Sequence, residues 1–366
     1  MTATPGVPIA RRSSTLSSSL GLGERLFASG DERKLADAIE AGLERVEERL
    51  LSEVRFADGL ADTTTRYLLE AGGKRVRPVL VLLTSQLGDG VSEEIVRSAT
   101  ALEITHLASL YHDDVMDEAQ MRRGVPSAQS VWGNSVAIIT GDLLFARAST
   151  LLVGLGEEAL RLQADTFERL CLGQLHETIG PRDGDDPVEH YLQVLADKTG
   201  SLIATAAESG VRFSNAPHEY IAPLRQFGEH VGVAFQLVDD VIDLSAETET
   251  TGKEAGTDLR AGVATLPLLY LREAAETDAA SADLLARIER AVAGAGADAD
   301  DAGHAAAERE LADVVAQLRE HPATARTLDD ARRYAATAIA ALAPIPDGPV
   351  KTALTQFAGR VVDRDG

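Results

Sequence analysis

Cysteine, aromatic residues and positive charge are all scarce in this chain. Its 366 residues include one cysteine, Cys171, so it can form neither an internal disulfide nor a cluster of thiolate metal ligands. A single cysteine is typical of a reducing compartment, and we expect a cytoplasmic protein in which Cys171 is a small buried side chain. Aromatic residues make up only 4% of the chain. Leu, Ala, Val and Ile must therefore build the core, which favours closely packed helices.

The charge balance excludes one class of partner. The formal net charge is −23, whereas a nucleic-acid-binding protein needs a basic surface to neutralise phosphates. A phosphorylated substrate is still compatible with this charge, because divalent cations can reverse the local sign of an acidic site. We find no uninterrupted apolar run of the roughly 18–20 residues that a membrane span needs. We therefore predict neither nucleic-acid binding nor a membrane span.

Helical periodicity runs through most of the chain. Residues 1–30 mix Ser, Thr, Gly and Pro without periodicity, so we expect a flexible leader there. From residue 31 onward apolar residues recur at helical spacing, and we find no confident strand. The Ala- and Gly-rich segment 291–305 predicts a low-complexity loop. The sequence therefore predicts a single all-α domain over residues 31–366.

Two acidic motifs stand out within apolar helical sequence. DDVMD begins at Asp113 and DDVID begins at Asp239. Side chains four residues apart lie on the same face of a helix, so Asp117 joins Asp113 and Asp243 joins Asp239 as paired carboxylates. A solvated acidic face would explain one such motif, but two copies favour a polyanionic ligand held through metal ions. Mg²⁺ fits this pattern, because it is usually bound by a few carboxylates together with substrate phosphates.

A basic cluster accompanies the first acidic motif. Lys74, Arg75 and Arg77 lie on a short loop that follows two glycines and leads into a helix, whose N–H groups favour anions. A solvent-exposed basic turn is the alternative for this loop alone. His106 falls two turns before the acidic pair on the same helix face, although a lone His there is usually a hydrogen-bonded core residue. With Arg123, these cations are suited to hold a second anionic group directly.

Six motifs, in order, resemble those of the trans-polyprenyl diphosphate synthases. They are GGKRVRP, HLASLYHDDVMDEAQMRRG, GQ, KTG, FQLVDDVID and GKEAGTDL. The resemblance extends from about residue 31 to the C-terminus. It implies an all-helical bundle around a deep central cavity, the isoprenoid synthase fold, and a homodimer. It also implies head-to-tail condensation of isopentenyl diphosphate with an allylic diphosphate to give an all-trans product.

The resemblance assigns roles to individual residues of the metal and allylic sites. Asp113, Asp117, Asp239 and Asp243 would bind the Mg²⁺ ions that chelate the allylic diphosphate. Asp114 and Asp240 would have weaker roles in the same two motifs, and Arg122 would contact the allylic diphosphate. The residues that line the allylic substrate and its developing cation would be Lys198, Thr199 and Gln236.

The remaining assignments concern the second substrate and the leaving group. Isopentenyl diphosphate would be held by Lys74, Arg77, His106 and Arg123. Lys253 matches the family lysine near the departing diphosphate. One position departs from the pattern, since Val263 stands where the family often has a lysine. We expect Lys198, Lys253 and the metal ions to compensate for this missing cation.

The resemblance also bears on product length. In the family, side chains just before the first acidic motif act as a floor under the growing chain. Here these residues are Ala108 and Ser109, and both are small. We therefore predict a product longer than geranylgeranyl diphosphate. The alternatives are a short-chain synthase, making farnesyl or geranylgeranyl diphosphate, or one subunit of a heteromeric synthase. Peripheral membrane contact during product release is left open.

Overall fold

The computed structural model of the protein describes residues 29–245, 255–294 and 301–364. Helices account for nearly all of the regular structure in these ranges, which confirms the prediction of an all-α fold. One pair of two-residue strands was not predicted. Strand β1 (Met121–Arg122) pairs antiparallel with β2 (Val125–Pro126) directly after the first acidic motif.

Helices up to residue 212 are joined by short connections. They are α1 (Gly30–Glu53), α2 (Gly59–Glu70), α3 (Val76–Ser85), α4 (Glu93–Met116), α5 (Ala128–Trp132), α6 (Asn134–Val153), α7 (Glu157–Ile179), α8 (Pro187–Leu195) and α9 (Ser201–Arg212). A five-residue π-helical turn, Ala196–Gly200, lies between α8 and α9.

The remaining described helices follow a 3₁₀ turn at His218–Tyr220. They are α10 (Ile221–Ser245), α11 (Thr257–Arg260), α12 (Leu266–Ala275), α13 (Ala279–Gly294), α14 (Asp301–Glu320), α15 (Pro322–Ala341) and α16 (Pro349–Val362). Helical residues therefore occupy both ends of the predicted 291–305 loop. The leader predicted for residues 1–30 lies almost entirely outside the described residues.

Contacts divide the chain into two compact units. Unit 1 comprises Met1–Glu168, Leu202–Arg225 and Leu342–Gln356. Unit 2 comprises Arg169–Ser201, Gln226–Ala341 and Phe357–Gly366. Each unit combines segments that are distant in sequence. The prediction of one synthase domain over residues 31–366 stays a prediction.

In unit 1, helix α4 is buried along most of its length. It begins after Ser92, whose hydroxyl accepts a hydrogen bond from the backbone N–H of Ile95. It packs against α1, α3 and α6, and α3 is itself buried throughout Pro78–Ser85. The helix ends at Met116 with Asp117 as its C-terminal cap. A buried, well-packed helix thus carries the first acidic motif at its C-terminal end.

Helix α6 packs on α4 along one side only. Ala137 and Leu144 are buried, while Ile138 and Ile139 on the opposite side are 42% and 59% exposed. Helix α6 is therefore apolar on its exposed side as well as on the side that contacts α4. By length and composition α6 is also long and apolar enough to cross a membrane. Its contacts with α4 show that α6 packs as part of unit 1.

Unit 2 has its own apolar core. Residues of α10, α12, α14 and α15 supply its buried Leu, Val and Ala side chains, including Leu237, Leu266 and Leu311. This core fixes the second acidic motif, which lies near the C-terminal end of α10. On α7, Cys171 is exposed, so the prediction that it is a buried side chain was wrong. Leu170, Gly173 and Gln174 form the buried side of this stretch of α7, so helical periodicity turns Cys171 away from it.

Candidate functional site

The basic loop, residues 72–77, has an unusual backbone. Gly72 and Gly73 have positive φ angles of 108° and 146°, and Arg75 is left-handed with a φ of 52°. A left-handed conformation is strained for a residue other than glycine, so other contacts must hold it. The Arg75 side chain, 6% exposed, donates Nε to Glu47 Oε1 at 2.5 Å and Nη1 to Glu103 Oε1 at 3.2 Å. Arg75 therefore braces the loop that carries Lys74 and Arg77.

Three of the residues predicted for isopentenyl diphosphate lie close together in unit 1. Burial lowers the pKa of Arg77 to about 10, although the nearby carboxylate of Glu103 opposes this. Burial, followed by the charges of Arg77 and Arg123, lowers the pKa of His106 well below its usual value. His106 is therefore neutral near pH 7. The fourth predicted residue, Lys74, is exposed on the basic loop.

Arg123 is held by backbone carbonyl groups. Its Nη1 donates to the carbonyl oxygen of Leu68 at 2.7 Å and to that of Gly72. Burial lowers the pKa of Arg123, and Glu103 again opposes the shift. The turn between β1 and β2 places this side chain, since Arg123 and Gly124 have φ angles of 53° and 77°. The sequence RRG is thus the turn of a short hairpin that orients two arginines.

Glu103 is a site residue that our sequence analysis missed. It is 2% exposed, and its Oε1 accepts from Arg75 while its Oε2 is buried without a hydrogen-bond partner. Its negative charge acts on Arg75, Arg77 and Arg123. A buried carboxylate is found almost only beside opposite charges. The signal in the sequence was an acidic residue one turn before His106 in an otherwise apolar stretch.

The first acidic motif has the geometry that its spacing predicted. Asp117 donates its backbone N–H to the carbonyl oxygen of Asp113 at 2.8 Å, so the two residues are one helical turn apart. Asp113 is half-buried and Asp117 is exposed. Asp114 is fully buried and accepts a hydrogen bond from Arg122 Nε at 2.6 Å, while burial raises its pKa. The guanidinium of Arg122, predicted to contact substrate, is thus tied to Asp114.

The second acidic motif lies in unit 2. Asp239 accepts from Arg364 Nη1 at 3.3 Å, and Asp243 Oδ2 accepts from the backbone N–H of Asp258 at 3.1 Å. Asp240 is buried, accepts from the hydroxyl of Tyr191 at 2.8 Å, and has its pKa raised to about 8 by burial. The half-buried Gln236 precedes these residues on the same helix.

Lys198 and Thr199 occupy the π-helical turn of unit 2. Lys198 pairs with Glu177 of α7, and both Lys198 and Thr199 are half-buried. On the same stretch of α7, Gln174 is buried and its Oε1 has no hydrogen-bond partner. The motif GQ was noted in the sequence, but we assigned Gln174 no role. An unsatisfied buried carbonyl oxygen is a feature that a bound cationic group would satisfy.

Two further positions that the sequence singled out are Lys253 and Val263. Lys253 lies outside the described residues. Val263, at the position where the family often has a lysine, is 41% exposed, and its backbone N–H donates to the carbonyl oxygen of Asp258 at 2.9 Å. Its side chain is too short and apolar to contact a diphosphate as a lysine would.

The two residues predicted to set product length are buried. Ala108 is 0% exposed and Ser109 is 5% exposed. Tyr111 is directed elsewhere, because its hydroxyl donates to the carbonyl oxygen of Thr64 on α2. One turn before Ser109, Thr105 accepts a hydrogen bond from Gln163 of α7 at 2.8 Å. Sequence patterns did not indicate this buried polar pair.

The donor set of the acidic motifs suits magnesium. Within the described ranges, no three His, Cys, Asp or Glu side chains converge on one point. A closed site with a full set of protein ligands is therefore absent from these ranges. Pairs of carboxylates at the helix surface match a Mg²⁺ ion that keeps several waters and is completed by substrate phosphates.

Comparisons with known proteins identify the family of the chain. The family model for polyprenyl synthetase matches residues 59–296. The chain is 43% identical to the nonaprenyl diphosphate synthase of Mycobacterium tuberculosis over 97% of this chain and 100% of that one. It is 35% identical to heptaprenyl diphosphate synthase component 2 of Geobacillus stearothermophilus, over 88% and 96% of the two chains.

Solved structures of prenyl diphosphate synthases are also similar to this chain. One is the geranylgeranyl pyrophosphate synthase of Corynebacterium glutamicum, complexed with calcium and isoprenyl diphosphate. It is 40% identical, with a TM-score of 0.74, and the match covers 90% of this chain and 97% of that one. Both the fold and the sequence are therefore shared along almost the whole length. This chain belongs to the polyprenyl synthetase family and is a prenyltransferase with the all-α isoprenoid synthase fold.

Proposed function

We propose that this enzyme condenses isopentenyl diphosphate with an allylic diphosphate and makes all-trans polyprenyl diphosphates longer than geranylgeranyl diphosphate. The observation that carries the proposal is the cluster in unit 1, where partly buried cations lie close to carboxylates. The negative charges of Glu103 and Asp113 both raise the pKa of Arg77, so the two carboxylates lie close to this guanidinium. Such a site can bind one diphosphate directly and a second one through divalent metal.

Isopentenyl diphosphate is held by cations of the basic loop and the hairpin. Arg77 and Arg123 are partly buried, and a guanidinium can bind a phosphate with two parallel N–H donors. Lys74 adds a point charge at the exposed edge of the loop. His106 is neutral in the free protein and can donate one N–H to a phosphate oxygen.

The allylic diphosphate is bound at the two acidic motifs. Asp113, Asp117, Asp239 and Asp243 would hold the Mg²⁺ ions, and the bound ions would supply positive charge that stabilises the departing diphosphate. Arg122 contacts the same group after exchanging part of its pairing with Asp114. Lys198 and Lys253 add positive charge at the leaving group.

The reaction proceeds through an allylic cation. The C–O bond of the allylic diphosphate breaks, and the isopentenyl double bond attacks the resulting cation to form the new C–C bond. Side-chain oxygens of Thr199 and Gln236 line this cation. The released diphosphate accepts the proton that the adduct then loses, so no side-chain base is required. Water must be kept from the reacting carbon, because it would otherwise capture the cation.

Product length follows from the small residues before Asp113. Ala108 and Ser109 are both small, so in this proposal neither side chain blocks a chain that grows along α4. The nonaprenyl and heptaprenyl relatives support a long product. The geranylgeranyl synthase of Corynebacterium glutamicum keeps a short product as the alternative, and the component-2 relative keeps a heteromeric synthase as another.

The enzyme acts as a cytoplasmic homodimer in this proposal. Support comes from the exposed apolar side of α6, where Ile138, Ile139 and Val153 face outward. Covering such side chains with a second copy would remove apolar surface from water. Contact with a membrane surface during release of the long apolar product is part of the same proposal.

The test is a product analysis with purified protein. Farnesyl diphosphate, labelled isopentenyl diphosphate and MgCl₂ should give products longer than geranylgeranyl diphosphate, and chelation of the metal should abolish them. Asp113→Asn should reduce turnover by about 10²-fold or more, since it replaces a charged metal ligand with a neutral and weaker one. Asp165→Asn on the exposed side of α7 is the matched control and should keep full activity.

Three results would change the proposal. Arrest after one addition would establish a short-chain synthase. Activity that appears only with a second protein would establish a subunit of a heteromeric enzyme. Unimpaired activity of Asp113→Asn would remove the first acidic motif from the site.

A further inference from the structure

The π-helical turn Ala196–Gly200 is held from outside by other elements. A π turn inserts one extra residue into a helix and breaks its regular hydrogen bonding, and such turns occur frequently at functional sites. This one carries Lys198 and Thr199, which our proposed function places beside the allylic substrate. The two side chains can act there only if the irregular backbone keeps one conformation.

One face of α7 supports this turn at three points. Arg169, Gly173 and Glu177 are spaced four residues apart, so they lie in a row on the helix. Arg169 Nε donates to Asp197 Oδ1 at 2.8 Å, and Glu177 pairs with Lys198. Between them, a Cβ atom on Gly173 would come within 2.6 Å of the Lys198 backbone nitrogen. The backbone of the turn therefore lies directly against the helix.

Asp197 receives hydrogen bonds on both carboxylate oxygens. Arg169 binds Oδ1, and Gln193 Nε2 donates to Oδ2 at 2.7 Å. Its backbone carbonyl accepts from the hydroxyl of Ser201 at 2.6 Å. The side chain is only 13% exposed, so these bonds are largely shielded from water. Asp197 is thus fixed in position although it belongs to an irregular turn.

Arg169 also connects the turn to α10. Its Nη1 donates to Glu229 Oε2 at 2.7 Å, and its Nη2 contacts the carbonyl oxygen of Ala196 at 3.5 Å. Burial opposes the charged guanidinium, but hydrogen bonds to Asp197 and Glu229 raise the pKa of Arg169 overall. One guanidinium therefore joins α7, the π turn and α10 within unit 2.

We propose that Arg169 and Asp197 are positioning residues that hold the π turn so that Lys198 and Thr199 act on the allylic substrate. The inference rests on the proposed function and adds two residues that need not contact a substrate. The competing interpretation is an ordinary ion pair that contributes to stability alone. The two interpretations differ in whether turnover changes in protein that is fully folded.

Arg169→Met removes the charge and the hydrogen bonds while keeping the length of the side chain. We expect kcat to fall by about tenfold to a hundredfold, because small displacements of reacting groups have effects of that size. The KM for isopentenyl diphosphate should change less than about twofold, since that substrate is assigned to unit 1. Arg169→Lys should restore part of the activity, because lysine can reach one carboxylate but cannot bridge both.

A double variant tests whether Arg169 acts through Asp197. If it does, Arg169→Met with Asp197→Asn should be little worse than either single variant, because coupled residues are not additive. Arg161→Met is the matched control. Arg161 lies two helical turns before Arg169 on α7, is exposed, and pairs with Glu157. This control should keep wild-type kcat. Thermal unfolding of every variant establishes that the assays compare folded proteins.

A wild-type kcat in folded Arg169→Met would overturn the inference, as would a double variant whose loss in free energy equals the sum of the two single losses. Hydrogen exchange separates this outcome from failure of the proposed function. Faster exchange of the amides of residues 197–201 in Arg169→Met, with unchanged exchange in α4, is expected whatever the substrates are. Unchanged exchange in the turn would overturn the inference even if the wild-type enzyme makes the expected product.

Discussion

At the scale of single residues, the site depends on charges that balance one another inside unit 1. Arg75, Arg77 and Arg123 are buried or half-buried, and Glu103 is the carboxylate whose charge acts on all three. Removing one partner of a buried ion pair leaves an uncompensated charge in a poorly hydrated environment. Glu103 should therefore control both the stability of the free protein and its response to anions.

Glu103→Gln should lower the free energy of unfolding by about 3–5 kcal/mol, the range found when buried ion pairs are broken. Diphosphate supplies negative charge to the same cations, so it should stabilise this variant more than it stabilises the wild type. The measurement is denaturant unfolding with and without sodium diphosphate.

Glu208→Gln is the matched control for this substitution. Glu208 is 2% exposed and binds Arg212 and Arg225 in the same unit, outside the proposed site. Its loss should destabilise the protein without increasing the effect of diphosphate. An equal response to diphosphate in both variants would show that Glu103 has no special relation to the anion site.

His106 should link substrate binding to proton uptake. In the free protein, burial and the neighbouring arginines keep its pKa well below the usual value, so it is neutral. A bound diphosphate offsets the arginine charges and raises that pKa, so the complex holds more protons than the free protein. Isopentenyl diphosphate should therefore bind more tightly as the pH falls through the pKa of the complex.

Calorimetry in buffers of different ionisation enthalpy measures this proton uptake directly. Diphosphate itself also titrates, so His106→Gln is the necessary comparison. Proton uptake in this variant should fall to the contribution of the ligand alone. Identical uptake in both proteins would assign the effect to the ligand and leave His106 as a neutral donor.

At the scale of elements, sequence patterns predicted what depends on periodicity and missed what depends on local irregularity. The spacing of the first acidic motif predicted the paired geometry of Asp113 and Asp117, because α4 is a regular helix. The π turn was not predicted, since one extra residue barely changes the apolar pattern. From the sequence, Arg75 was predicted only as one cation of the basic loop. The fold shows that Arg75 holds the loop in place through its ion pairs with Glu47 and Glu103.

Gly173 should be essential to the fit between α7 and the π turn. A Cβ atom in Gly173→Ala would lie 2.6 Å from the Lys198 nitrogen and 3.1 Å from the Asp197 carbonyl carbon, and backbone atoms cannot rotate away. We expect a loss of about 1–3 kcal/mol in unfolding free energy, as for other overpacked sites, and a lower kcat.

Gly359→Ala provides the matched control on α16. A Cβ atom added at Gly359 would meet nothing within 4 Å, so alanine should raise stability by up to about 1 kcal/mol through its better helix propensity. Urea unfolding and steady-state kinetics measure both effects. Wild-type kcat and stability in Gly173→Ala would show that the turn can shift without consequence.

At the scale of the whole molecule, the exposed apolar side of α6 predicts association of two copies. Ile139 is 59% exposed, so Ile139→Lys should not disturb folding of the free chain, but a lysine in an apolar interface would have to lose its hydration. We expect sedimentation velocity to show a dimer for the wild type and a shift toward monomer for Ile139→Lys. Leu60→Lys is the control, because Leu60 on α2 is similarly exposed at 57% and should stay compatible with the dimer. A wild-type monomer would contradict the predicted association. Loss of the dimer in Leu60→Lys but not in Ile139→Lys would place the interface away from this side of α6.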